Sequence, residues 1–415
     1  IGSQFGLLKG SFSSSELELI GVYPVSISSV AVDPRNCNQA YAIGRGLFKT
    51  TDFGESWKLI NKGVWGGEAI ALDLLNPNVL YAGDYSPFGA VYKSTNGGLQ
   101  WSATSLTNVA INDIEVDPIT PRIVYAGGLM DPHVGGMFRT TNGGTAWDTL
   151  RNGLGNAYIT AIATNPVKPS TLYVGTMNSG VLKSTNGGTS WFQVNQGLPQ
   201  SLGYLGDLAV DPSHPDTAYA GIQGVYRTFN GGSSWDSITA GLTDRDVRAL
   251  AVDDQRTEWL FAGTWNGGAF RSFDGGGHWA QMNNGSNVQR ITSLSLCSQR
   301  VMYAGTGRDG VWRYNFLICS VDENPANPTR FALLQNYPNP FNPSTDVGFR
   351  ISDFGFVSLK IYDVLGREVA TLVNEEKPPG TYEVTFDASS FSSGVYFYRL
   401  SAGGVVQTKK LLLLR

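Results

Sequence analysis

Among the 415 residues, the side chains best placed to do chemistry are carboxylates and aromatics at recurring loop positions. Asp113 and Asp207 stand at equivalent points of an internal repeat, each at the entry of an alternating apolar run. Hydrolysis of a glycosidic bond needs two facing carboxyls, ~5–5.5 Å apart for retention or ~6.5–9.5 Å for inversion. Asp113 and Asp207 are the catalytic candidates on that ground. The competing role is a bond to a neighbouring backbone amide at a strand start. Glu115 falls where sister repeats carry Ala or Ser, and a carboxylate there needs a partner, expected to be an Arg or a Tyr.

A second set lies on predicted loops: Asp84, Tyr85 and Phe88, then Met130, Asp131 and His133, then Trp265, then Arg308 and Asp309. Trp65, Tyr158, Tyr204, Asp244, Arg245 and Arg248 join them from connecting segments. Exposed aromatics beside carboxylates and amides suit stacking on sugar rings while bonding hydroxyls, and loops carry function more often than framework does. Other chemistries find no residues. His133, His214 and His278 lie on separate turns without a triad-like carboxylate, and no GxSxG, phosphate loop or dinucleotide fingerprint occurs. Cys37, Cys297 and Cys319 form no CxxC pair, so no metal and no cofactor are expected.

The elements that must position these residues are repeats. Six segments share the order basic, Ser/Thr, any, Asp/Asn, any, Gly, any, any, Trp: 49–57, 93–101, 139–147, 183–191, 227–235 and 271–279. Trp-to-Trp steps are 44, 46, 44, 44 and 44 residues. An alternating run ending in Asp-Pro or similar precedes each, and a Tyr-Ala-Gly-like element begins at Tyr41, Tyr81, Tyr125, Tyr173, Tyr219, Phe261 and Tyr303, giving seven units. Four short runs per unit of ~40–45 residues is the size of a propeller blade. The Ser/Thr and Asp/Asn side chains can bond turn backbone, and the Trp can seal against the next sheet. The seventh unit stops after Tyr314, so residues 15–20 are expected to supply its missing outer strand and close the ring.

Composition agrees. Charged residues are 15 %, aromatics 12 % and glycines 51 in number, which fits an all-β chain with many turns. A net charge of −4 gives no basic footprint for nucleic acid, and no apolar run reaches the ~20 residues of a membrane-spanning helix. The chain opens Ile1-Gly2-Ser3 with no initiator Met or signal-peptide pattern, and a removed leader is expected.

The repeated segment resembles the Asp-box, or bacterial neuraminidase, repeat of sialidases, sortilin-type receptors, xyloglucan-cleaving glycosidases and photosystem assembly factors. The resemblance implies a seven-bladed propeller in which Asp52, Asn96, Asn142, Asn186, Asn230 and Asp274 are structural turn residues. It argues against the family's enzymes. Sialidases of this class use an arginine triad and an Arg-Ile-Pro signature, where this chain has only Arg122-Ile123-Val124. The xyloglucan enzymes set their acids between two propellers, and here there is one.

Residues 319–330 read as a linker after a propeller spanning 1–318, and 331–415 follow different logic. Short alternating strands there point to a small β-sandwich. Asn336-Tyr337-Pro338-Asn339-Pro340-Phe341-Asn342-Pro343, Tyr362-Asp363-Val364-Leu365-Gly366-Arg367, Ser393-Gly394-Val395-Tyr396 and Lys409-Lys410 resemble the type A sorting domain of the type IX secretion system. That resemblance implies export across the outer membrane to the surface or medium, with the secretion machinery as a partner. An oxidising location permits a disulfide, and all three cysteines map near the ring seam. Cys297–Cys319 is the expected bridge, three unpaired thiols the alternative. The expected function is a non-catalytic, exported propeller whose rim binds an extracellular protein or glycan. A glycoside hydrolase or lyase using rim carboxylates, and a subunit of an extracellular assembly, are the alternatives.

Overall fold

The computed structural model describes residues 25–60, 67–131, 134–282, 290–297, 301–315, 332–334, 336, 339–351, 355–378, 380–402 and 405–414. It gives only the backbone at 17–20, 131, 315, 332, 381 and 405. Two compact units divide the chain, Ile1–Leu317 and Ile318–Arg415. The first holds seven four-stranded antiparallel sheets, each a blade. Their innermost strands are Ile27–Val32, Gly67–Leu72, Ala110–Val116, Ile159–Thr164, Asp207–Val210, Val247–Val252 and Ile291–Cys297. Each touches the next and the last touches the first, so the blades close into a ring. The outer strand of blade 7 is Leu17–Ile20, paired antiparallel with Val311–Asn315 in the register Leu17↔Tyr314 to Ile20↔Val311.

The repeat motif holds blades together as well as turning the chain. Within the turn, Asp52 Oδ1 accepts the Thr50 hydroxyl (2.7 Å) and the Ser56 amide (2.9 Å), while Thr50 Oγ1 accepts the Gly54 amide (2.8 Å). Asn186 Oδ1 does the same work with Ser184 and Ser190 at 2.9 Å each. Only an acceptor oxygen is needed, which is why Asn serves in place of Asp. The basic residue that opens the motif reaches across to the following blade: Lys93 Nζ donates to Gly143 O (2.9 Å), Arg139 to Gly187 O (2.8 Å) and Lys183 to Gly231 O (2.7 Å). Lys93 and Lys183 also lie over the Tyr81 and Tyr173 rings at 5.3 and 5.2 Å. The sequence of blade 7 carries no copy of the motif, and Arg271 bonds the Tyr314 hydroxyl instead.

The motif Trp packs the other way from the sequence expectation. Trp235 of blade 5 sits among Tyr173, Val181, Val194 and Leu198 of blade 4, and Trp279 of blade 6 among Tyr219, Ile238 and Leu242 of blade 5. Their indole N–H groups donate to Val194 O (2.7 Å) and Ile238 O (2.6 Å). The seal is therefore against the preceding blade, because the turn leans back onto the sheet that sends it a Lys or Arg. The glycine of Tyr-Ala-Gly has an equally local cause. A Cβ on Gly83 would stand 2.4 Å from Ile111 Cγ2, the first inner residue of blade 3. Blade 1 has Ile43 at that place, and the following blade answers with Gly67, where a Cβ would meet Ile43 Cδ1 at 2.1 Å.

The seam between blades 7 and 1 corrects the cysteine expectation. Cys297 is bonded to Cys37, with Cα atoms 5.8 Å apart and 260 residues between them in sequence. Closure of the ring sets the end of the last inner strand beside the turn that follows the first. Cys319 lies outside the described residues. Around the bridge, Ser293 Oγ and Ser295 Oγ accept the Val30 and Val32 amides (3.1 and 3.0 Å), and Tyr303 donates to Cys37 O (2.8 Å). Buried Arg313 bonds Phe53 O and pairs with Glu55 at 3.1 Å.

The second unit is a β-sandwich. A three-stranded sheet (Ala332–Leu333, Ser344–Ile351, Gly380–Asp387) and a four-stranded one (Glu368–Lys377, Gly355–Tyr362, Gly394–Ala402, Val405–Leu413) share a core that includes Val347, Phe349, Leu359, Ile361, Phe386, Tyr398 and Leu411. Its turn residues are bonded locally: Asp363 Oδ1 accepts the Leu365 and Arg367 amides, both at 2.9 Å, and Oδ2 accepts Arg367 Nε (2.7 Å).

Candidate functional site

Each inner strand is the edge of its blade, so the N–H groups it turns toward the neighbouring blade have no strand partner and need another acceptor. Side chains of the preceding blade supply one at alternate junctions. Asp113 Oδ2 accepts the Ile162 amide of blade 4 and Asp207 Oδ2 the Leu250 amide of blade 6, both at 2.7 Å. Their Oδ1 atoms accept the Ile114 and Leu208 amides at 2.8 Å. At the same strand position Ser293 serves blade 1, while blades 2, 4 and 6 carry Ala69, Ala161 and Ala249. Two residues on, Glu115 Oε1 accepts the Thr164 hydroxyl (2.7 Å). Its partner is thus Thr164, where an Arg or Tyr was expected; the hydroxyl stands at the facing position of the next inner strand.

Burial pushes these acids up. Asp207 rises to about 7 against the pull of its two amide bonds, and Glu115 rises to about 7 against that of Thr164. Asp113 lies well above the usual carboxylate range, first from burial and then from the charges of Asp207 and Glu115.

One residue before that position, the pairing of inner and second strands slips in six blades, between Ile27 and Ser29, Gly67 and Ala69, Ile111 and Asp113, Ile159 and Ala161, Val247 and Ala249, and Ile291 and Ser293. A bulge of this kind re-aims the skipped side chain. Ser28, Glu68, Asn112, Thr160, Arg248 and Thr292 are those side chains, with Gly206 at the matching place in blade 5, and all seven residues line one cavity of about 550 Å³ at the ring centre. Asp113, Asp207, Tyr204, Trp265 and Arg290 complete its wall. Burial raises Glu68, opposed by a bond from Ser28. Asn112 Nδ2 donates to Ile159 O (3.2 Å) and Thr160 O (3.0 Å), which fixes the amide, and its Oδ1 accepts Tyr158 Oη at 3.4 Å.

The loop candidates divide. Tyr204, Trp265 and Arg248 meet at the cavity: the Arg248 guanidinium lies 4.3 Å over Tyr204 and 5.0 Å over Trp265 and is held by Asp246 at 2.6 and 3.0 Å. Tyr158 and Tyr85 continue outward, hydroxyl to hydroxyl at 2.9 Å, and Phe88 stands 84 % exposed. Asp84 is buried and caps its own turn through the Ser86 amide (2.8 Å), and Asp244 reaches from its connecting segment to accept the Asn266 (2.7 Å) and Gly267 (2.9 Å) amides of the following turn. Asp309 sits in a turn whose amide bonds Thr306 Oγ1 (2.8 Å), and Met130 receives Arg151. Arg245 and Arg308 are exposed and outside the cavity wall. Trp65 and His133 lie outside the described residues, as does the side chain of Asp131.

Sequence reading passed over Ser28, Glu68, Asn112, Thr160, Arg290 and Thr292. The bulge residues share no residue type. The available signal was position, the residue directly before Ser29, Ala69, Asp113, Ala161, Ala249 and Ser293, which are equivalent points of the repeat.

Comparison with known proteins enters at this point. Residues 335–414 match the family model of the secretion system C-terminal sorting domain. Among solved structures, a GH74 enzyme of Niastella koreensis superposes with a TM-score of 0.60 at 16 % identity, over 95 % of this chain and 74 % of that one. The GH74 xyloglucanase of Xanthomonas campestris gives 0.59 at 16 %, over 80 % of this chain and 59 % of the enzyme's length. YCF48 bound to D1 peptide gives 0.57 at 15 %, over 76 % of this chain and 100 % of that one. No curated protein matches the chain. Identities this low establish the fold and nothing about activity. The chain is a seven-bladed β-propeller that carries a type IX secretion sorting domain at residues 335–414, which addresses it to the cell surface or the extracellular space.

Proposed function

We propose that this exported propeller is a non-catalytic binding protein that holds a glycan at the mouth of its central cavity. The observation that carries this reading is how the cavity divides its polar groups. Asp113 and Asp207, the pair best placed for hydrolysis, spend both carboxylate oxygens on backbone amides of their own and the next blade. A general acid or nucleophile needs a free oxygen aimed at the bond to be cleaved. Among the bulge residues, Asn112 and Thr292 are likewise held by the Ile159, Thr160 and Ile27 carbonyls, but the buried Thr160 hydroxyl has no partner among the described residues and stands with Ser28 and Glu68 on one opening, while Tyr85 and Phe88 extend outward as exposed plates. That combination meets sugar hydroxyls and sugar faces together.

Calorimetric titration against a panel of soluble polysaccharides, run beside a reducing-end assay, tests the reading. Saturable binding without new reducing ends is expected, and Thr160→Val, which removes a hydroxyl without an internal partner, should weaken it about tenfold, the value of one lost polar contact. Release of reducing ends that disappears in a folded Asp113→Ala or Asp207→Ala variant would replace this reading with a glycoside hydrolase.

A further inference from the structure

The cavity wall is uneven in charge. Acceptors and hydroxyls come from blades 1 to 5 and from blade 7, while its two guanidinium groups come only from blades 6 and 7. Arg248 is already neutralised by the two-pronged contact with Asp246. Arg290 is different. Its guanidinium lies 4.8 Å over the Trp265 ring, and among the described residues no carboxylate pairs with it. A half-buried cation without an anion is costly unless something brings one, and the planar fork of Arg fits a carboxylate along its N–H edge.

The position of Arg290 is also built. Its carbonyl accepts the Gly307 amide (2.9 Å), and a Cβ on residue 307 would stand 3.2 Å from Arg290 Cβ and 3.3 Å from its Cδ. A side chain at 307 would crowd the Arg290 stem, which would have to give by a few tenths of an ångström.

We infer that the cavity selects saccharides that carry a carboxylate, uronic acids, with the carboxylate on Arg290 and sugar hydroxyls on Ser28, Glu68 and Thr160 across the opening. The inference rests on the glycan-binding reading and adds the ligand class. The cavity of about 550 Å³ lies within the ~300–1,000 Å³ typical of small-ligand sites. A ligand that brings a carboxylate to Arg290 and hydroxyls to the polar groups around it matches this lining.

The test uses the full chain in calorimetric titrations with oligogalacturonate and oligomannuronate, with the same oligomers after carboxyl reduction, and with a sulfated galactan oligomer. Acidic oligomers are expected to bind at least tenfold more tightly than their reduced forms. Arg290→Gln should erase that difference, and Gly307→Ala, which keeps Arg290 but displaces its stem, should cut it severalfold. Lys168→Gln, a loss of charge on the opposite rim, should leave it within twofold. If Arg290→Gln does not fold, the Gly307→Ala result decides. Equal binding of acidic and reduced oligomers overturns the inference and leaves the glycan reading standing. So does tighter binding of the sulfated oligomer. No binding of any saccharide overturns both.

Discussion

Replacing Cys37 and Cys297 together by alanine should lower the unfolding free energy of the ring by up to about 5 kcal/mol, the chain-entropy value for a loop of this length. The bridge spans 260 residues, nearly the whole propeller, so its loss frees almost the entire unfolded chain. Alanine is the right replacement because both sites are buried among Val30, Val32, Ala40 and Val301, where a serine hydroxyl would bring a desolvation cost of its own. Export places the protein where such a bond persists. Denaturant titration of the wild type with and without reductant, beside the double variant, measures the effect. Reduced wild type and variant should coincide, several kcal/mol below the oxidised protein. Three overlapping curves would mean that the seam is held by its side-chain bonds alone.

Deleting residues 1–22 should do comparable damage by a different route. Leu17–Ile20 is the fourth strand of blade 7, and its loss leaves Val311–Asn315 as a bare edge. Each ladder bond contributes about 1 kcal/mol. The open edge is also a template for pairing with another chain. The truncated protein should melt in a broad transition at lower temperature and aggregate with time, even with the disulfide intact. A melting curve that superposes on that of the full chain would show that the strand is an ornament on a ring already closed.

How much of this was legible beforehand depended on whether the informative pattern lay within one repeat or between repeats. The seven units, their four strands and the Asp/Asn equivalence could be read because each is a property of one copy: Asp52 and Asn186 use the same acceptor atom. Relations between copies were harder. A repeat looks the same toward either neighbour, so the direction in which Trp235 and Trp279 lean could not be read from spacing. The Cys37–Cys297 bond joins the first copy to the last, an adjacency that only closure creates. Glu115 stood out by type, yet its partner Thr164 is an ordinary hydroxyl whose role comes from facing it across a blade junction. Apart from Arg248, the bulge residues escaped notice because Ser28, Glu68, Asn112, Thr160 and Thr292 share a place but no single residue type.

Hydrogen–deuterium exchange with a bound acidic oligosaccharide tests most directly whether the ring centre is the binding site. Peptides covering residues 26–29, 67–70, 110–114, 158–162 and 290–294 should gain protection on binding. The motif turns at 94–100 and 184–190, on the opposite rim, should exchange as they do in the free protein. Protection confined to those turns, with the inner-strand entrances unchanged, would contradict the assignment of the cavity.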